Sequence, residues 1–164
     1  MSKFKLAILS TIALLSTLTI TTFAFADAVV KVTLTDKGGT MDLSKSMGLG
    51  MGMHADMKAA IMGITINPKS VPAGKVKFNV TNSSNAVVHE MLVAPIADEN
   101  AIMPFLANDD KLDETATHDL GEVSELDPGK SGSLTVAMEP GKYLLFCNVS
   151  GHYMAGMWTV LVVK

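Results

Sequence analysis

Strand-period alternation recurs along this chain and constrains its fold more tightly than any other feature. Val30, Val32 and Leu34 alternate with Lys31, Thr33 and Thr35; Val76, Phe78 and Val80 alternate with Lys77 and Asn79; Leu134, Val136 and Met138 alternate with Thr135 and Ala137. Successive side chains of a strand point to opposite faces, so each run reads as a strand with one buried face. The segments Val87 to Val93, Tyr143 to Cys147 and Trp158 to Val163 are continuous apolar runs, the pattern of central strands buried on both faces. Turn signals separate them: Pro72-Ala73-Gly74, Asp127-Pro128-Gly129 and Glu139-Pro140-Gly141. Short strands punctuated in this way predict an all-β sandwich in one domain, since 164 residues leave no room for a second large unit.

Two segments interrupt the pattern and are read as excursions from the sandwich. From Met41 to Met62 the chain holds six of its 12 methionines (Met41, Met47, Met51, Met53, Met57 and Met62), with His54 and with Gly48, Gly50 and Gly52 between them. From Asp98 to Asp127 it holds ten acids and one lysine, a net charge of −9, with a short helix expected around Ala101 to Ala107 that Pro104 interrupts. The expected organisation is a leader over residues 1–26, an N-terminal strand and methionine-rich segment over 27–63, and the main domain over 64–164.

The leader has the parts of a secretory signal: Lys3 and Lys5, an apolar run from Leu6 to Ile20, and small residues at Ala24 and Ala26. Cleavage after Ala26 is expected, because the run is short for a membrane anchor and is broken by Ser10, Thr11, Ser16, Thr17 and Thr19. The predicted location is the periplasm or another exported compartment, with no membrane span after cleavage. The leader removes two of 13 basic residues and none of the 16 acids, so the formal charge becomes −5. All the basic residues are lysines, and the acidic balance without arginine speaks against nucleic-acid binding.

Export makes Cys147 informative. Exported proteins use cysteines in pairs, and this is the single cysteine of the chain. An odd cysteine is intermolecular, incidental, catalytic or metal-bound. Around it the strand Tyr143 to Cys147 runs into a loop carrying His152 and Met157, a Cys-x4-His-x4-Met spacing, and a further apolar strand follows. His89 lies in the apolar run Val87 to Val93, where an imidazole needs a partner. Two histidines, one thiolate and one weak thioether form the donor set of a trigonal type 1 copper centre. Thiolate serves both Cu(II) and Cu(I), imidazole tolerates both, and the axial thioether bears on the potential. Met91 and Met154 are competing thioethers, but Met154 lies only two residues from His152 and Met91 suits the core.

On these residues the chain resembles the cupredoxins, the small blue-copper proteins that include plastocyanin, azurin, auracyanin and rusticyanin. The resemblance covers about Ile64 to Lys164 and is most specific over Tyr143 to Met157 with His89. It implies a Greek-key cupredoxin β-sandwich of eight strands, with one type 1 copper at one end. Carried over by position, His89, Cys147, His152 and Met157 would be its ligands. The loop spacing is closer to that of rusticyanin and auracyanin than to that of plastocyanin. Glu90 departs from the family, where asparagine often follows the first histidine. The resemblance further implies that His152 reaches the surface as an electron port, with Tyr153, Met154, Ala155 and Gly156 as an apolar patch that docks redox partner proteins.

The predicted function is electron carriage by Cu(I)/Cu(II) cycling. An enzyme is not expected: of the four histidines His54, His89, His118 and His152 two are already assigned, and no catalytic triad is recognisable. The alternative is copper resistance or homeostasis, with Met47, Met51, Met53, His54 and Met57 as a second, Cu(I)-binding site, because thioethers select Cu(I). The same methionines also read as packing residues, since Met47 to Met51 and Met53 to Met57 are each one helical turn apart. The acidic segment reads equally as a steering face for a basic partner or as a solvated loop, and His118 as a surface residue.

Overall fold

The computed structural model describes residues 27–38, 42–43 and 45–164. The leader and Met41 lie outside the described residues. Among the described residues eleven strands form the body: β1 (Ala28–Asp36), β2 (Met62–Asn67), β3 (Ser70–Val71), β4 (Gly74–Asn82), β5 (His89–Ile96), β6 (Phe105–Leu106), β7 (Lys111–Leu112), β8 (Glu122–Leu126), β9 (Ser131–Met138), β10 (Gly141–Phe146) and β11 (Trp158–Val163). One short helix, α1 (Glu114–Thr117), and a 3-10 turn at Met57–Ala59 complete it.

The strands make two facing sheets. One runs β2-β1-β4-β9, with β1 antiparallel to β2 and parallel to β4; the other runs β3-β11-β10-β5-β8. A two-stranded ribbon of β6 and β7 stands apart. The alternating residues behave as their period demands: Val30, Val32 and Leu34 of β1 and Val76, Phe78 and Val80 of β4 are buried between the sheets. From the other side Met91, Val93, Tyr143, Leu145, Leu161 and Val163 meet them.

The denser apolar runs have a separate cause. In β5 and β10 the opposite-facing set, Leu92, Ala94, Leu144 and Phe146, is also buried, in a second cluster on the outer face of the five-stranded sheet. Met51, Met103, Leu112, Tyr153 and Met154 cover it. Both excursions therefore serve as a covering layer. Burial of such side chains contributes about 1.5–3 kcal/mol each, which secures segments poor in regular structure.

Three local expectations change. No helix forms over Ala101 to Ala107; Phe105–Leu106 pairs with Lys111–Leu112 instead, and the helix sits at Glu114–Thr117. Its start is set by Asp113, whose carboxylate accepts from the Ala116 N–H at 3.1 Å, whereas Pro104 lacks an N–H and disfavours helix before it. The acidic segment also supplies β8, an edge strand paired with β5. The methionine spacing does not form a helical stripe: residues 45–56 hold no helix or strand, and Met47 and Met51 pack with different core clusters.

Candidate metal centre

His89 opens β5, and the chain before it is folded by buried polar side chains. Asn82, fully buried at the end of β4, donates its amide to the carbonyls of Val87 and Leu126 at 2.8 Å each and accepts from the Ser84 N–H at 2.9 Å. The Ser84 hydroxyl accepts from the N–H groups of Ala86 and Val87 at 3.1 and 2.8 Å. These bonds turn the chain from one sheet into the other and aim His89 inward. Cys147 follows directly on β10, and its N–H donates to the Met157 carbonyl at 3.1 Å, closing the loop 147–157 at its base.

Within that loop the His152 N–H donates to the Val149 carbonyl at 3.0 Å and the Met157 N–H to the His152 carbonyl at 3.1 Å, a run of tight turns. Gly156, at φ 94°, is required twice over: its backbone lies in the left-handed region, and a Cβ there would stand 2.6 Å from Ala60 Cβ. The result brings His89, Cys147 and His152 together. One donor atom from each lies within 4.8 Å of the others. His89 Nδ1 is 3.2 Å from His152 Nδ1, and Cys147 Sγ is 3.3 Å from the same nitrogen. Their exposures are 0% for His89 and Cys147 and 3% for His152.

Burial controls the protonation of this set. It pushes the Cys147 thiol up to about 12, against the N–H bonds from Glu90 and Val149, and pulls His152 down to about 4, with His89 adding to the effect. His89 is also lowered by burial, although Asp36 opposes that. The pocket holds a neutral thiol and neutral imidazoles near pH 7. Sulfur and two imidazole nitrogens converging in an apolar pocket suit copper: soft enough for Cu(I), and with one anionic ligand for Cu(II). The donor set therefore fits the metal that the sequence predicts.

The other predicted residues are distributed as follows. Met157 is fully buried beside Cys147 in the main core, and Met91 also packs there. Met51 is fully buried in the outer cluster, Met53 packs against that cluster, and Met57 is 40% exposed. His54 is exposed at a positive φ of 53°, and His118 caps α1 at its exposed C-terminus. Among the described residues, His54 and His118 do not join the triad of donors, whereas Met157 lies beside it.

The expected apolar patch around His152 is not a free surface. Tyr153, Met154, Ala155 and Gly156 are all buried, because the methionine-rich segment lies across them. The Met51 N–H donates to the Tyr153 hydroxyl at 2.9 Å, the Leu49 N–H to the Met154 carbonyl at 3.0 Å, and the Trp158 indole to the Leu49 carbonyl at 2.7 Å. Gly50 is required there by close approach: a Cβ on it would stand 2.8 Å from the Tyr153 ring.

Two residues escaped the sequence reading. Asp36, at the end of β1, places Oδ2 3.2 Å from His89 Nε2. Burial raises its carboxyl, but hydrogen bonds from Ser84, His89 and the Gly38 N–H outweigh burial and hold it below the usual range. Asn148, buried next to Cys147, accepts from the Leu112 N–H at 2.7 Å and donates to the Leu112 carbonyl at 3.1 Å and to Glu114 at 2.8 Å, tying the acidic segment to the ligand loop. An acid at a strand end and an asparagine after a cysteine carry no signal of their own. Glu90, the departure from the family, gives its backbone N–H to Cys147 Sγ at 3.4 Å, a contact that needs no particular side chain. Its own carboxyl is raised to about 7 by burial and by Glu122, Glu114 and Glu125.

Comparisons with known proteins bear on the family and the fold. The sulfocyanin (SoxE) domain model matches residues 70–164. No curated protein is significantly similar to the chain. Among solved structures, rusticyanin from Thiobacillus ferrooxidans aligns with a TM-score of 0.54 at 13% identity, over 84% of this chain and 77% of that one. Auracyanin B aligns with a TM-score of 0.50 at 21% identity, over 88% and 93%. At such identities the likeness shows the fold, a cupredoxin β-sandwich. The chain belongs to the sulfocyanin (SoxE) domain family, and its fold is that of a cupredoxin.

Proposed function

We propose that this chain is an exported, periplasmic carrier of single electrons, in which His89, Cys147 and His152 would hold one copper and Met157 would add a weak thioether donor. The single observation that carries the reading is the convergence of two imidazoles and one thiol, all buried, within 4.8 Å. When bound, copper supplies a one-electron Cu(I)/Cu(II) couple.

The protein's own contribution is rigidity. Cys147 sits at a strand end and His152 in a loop of successive hydrogen bonds, so the donors keep their places in both oxidation states. The site is shut, since His89, Cys147 and His152 are all buried, and a cavity of about 450 Å³ is lined instead by Leu106, Asp109, Asn148 and residues 111–115. A closed donor set without substrate room suits electron passage, because catalysis at a metal asks for an open position. Export rests on the leader's sequence, and no described helix is long and apolar enough to cross a membrane. Redox partners approach over the covering segments, since His152 itself lies beneath them, and the acidic segment favours a basic partner.

Cu(I) buffering by Met47, Met51, Met53, His54 and Met57 is the weaker reading. Met51 and Met47 pack with two different core clusters, whereas His54 and Met57 are exposed. Voltammetry of the copper-loaded mature protein tests the proposal. A reversible one-electron wave with one copper per chain is expected, and an irreversible wave, or several copper ions per chain, contradicts it.

A further inference from the structure

Asp36 is the last residue of β1, in the four-stranded sheet, and His89 is the first of β5, in the five-stranded one. The two side chains meet across the sandwich at its metal end, 53 residues apart in sequence, with 3.2 Å between Asp36 Oδ2 and His89 Nε2. Both are buried, at 3% and 0% side-chain exposure. The other carboxylate oxygen accepts from the Gly38 N–H at 2.7 Å, and the Ser84 hydroxyl bonds to the same carboxylate. Ser84 in turn holds the Ala86 and Val87 N–H groups just before His89. One connected network therefore fixes the carboxylate, the approach to His89 and the ring.

An ionised carboxylate only accepts hydrogen bonds, so the imidazole proton resides on Nε2. That leaves the Nδ1 lone pair directed toward Cys147 and His152, the side on which the metal donors converge. A ligating histidine whose second nitrogen donates to a carboxylate is oriented and made more basic. A fixed negative charge one ring away from the metal also stabilises Cu(II) over Cu(I), and burial limits the screening of that charge.

Resting on the carrier reading, we propose that Asp36 is a positioning residue for the copper centre, which fixes the tautomer of His89 and holds the reduction potential down. The test is Asp36→Asn in the copper-loaded full chain, which keeps the shape and an accepting oxygen but removes the charge. The Cu(II)/Cu(I) ratio at a fixed solution potential falls at least tenfold, equivalent to a potential raised by about 59 mV per tenfold for one electron, while the visible band persists. A purely structural role would lower the melting point and leave that ratio alone, which overturns the proposal. If Asp36→Asn does not fold, nitrogen NMR of the wild-type Cu(I) protein decides. A slowly exchanging proton on His89 Nε2 supports the proposal, and a proton on Nδ1 overturns it. A wild-type protein that takes up no copper overturns the carrier reading itself, an outcome distinct from a loaded protein whose ratio ignores Asp36.

Discussion

The backbone N–H of Met51 is held by the hydroxyl of Tyr153 at 2.9 Å, across 102 residues of sequence, and this buried bond pins the methionine-rich segment to the ligand loop beside His152. The bond joins the two sequence features that attract most notice, the methionine cluster and the copper loop, and gives the first a physical role as cover for the second.

Removing the acceptor leaves a buried N–H unsatisfied, which costs about 1–3 kcal/mol. Tyr153→Phe is expected to lower the stability of the metal-free protein by that amount in a denaturant titration. Amide exchange of residues 49–53 rises with it. Unchanged protection there would mean that the segment is held by other contacts.

The methionines should divide by burial rather than by chemistry. Met51 is fully buried and Met57 is 40% exposed. Met51→Ala is expected to cost about 2–5 kcal/mol and Met57→Ala to stay within about 0.5 kcal/mol, with Cu(I) stoichiometry unchanged in both. A lower Cu(I) stoichiometry in the Met57 variant would favour the buffering reading.

Met157→Leu is expected to keep copper and to raise the potential, because a weak thioether donor would be lost while His89, Cys147 and His152 remain. A tenfold or greater shift of the Cu(II)/Cu(I) ratio, about 59 mV per tenfold, is the expected size. An unmoved potential would mean that Met157 is not a donor to the copper.

The protonation state of the pocket gives a pH dependence with a definite sign. The thiol is pushed up to about 12, so it is protonated in the metal-free protein, and Cu(II) binding must displace its proton. Affinity therefore rises with pH, about tenfold per unit. At about pH 8.5, above the Glu90 carboxyl at about 7 and well below the thiol, one proton per copper should be released. Release near zero would mean that the thiolate exists before metal arrives.

Much of this was readable in advance where a residue's own neighbours carry the signal. β1, β4 and β9 announce themselves by alternation, and Trp158–Val163 is β11 residue for residue. Cys147 and His152 sit on one loop, so their spacing reports their meeting. β8 was hidden because Glu122, Ser124 and Glu125 leave Val123 as its sole buried residue, the mark of an edge strand. β2 was masked by Met62, which alternates with Ile64 and Ile66 but reads as part of the methionine cluster. Asp36, Asn148 and the covering of His152 depend on contacts dozens of residues apart, which no local pattern reports. Burial of Tyr153 to Gly156 is a property of the segment laid over them, and their own sequence is equally suited to a bare surface.

The most direct test of the central claim is a copper titration of the mature protein, followed by visible absorption and paramagnetic resonance, beside Cys147→Ser. One Cu(II) per chain with an intense thiolate-to-copper band, abolished by Cys147→Ser, is the predicted result. A weak or absent band, or a band that survives loss of Cys147, would contradict a centre built on His89, Cys147 and His152.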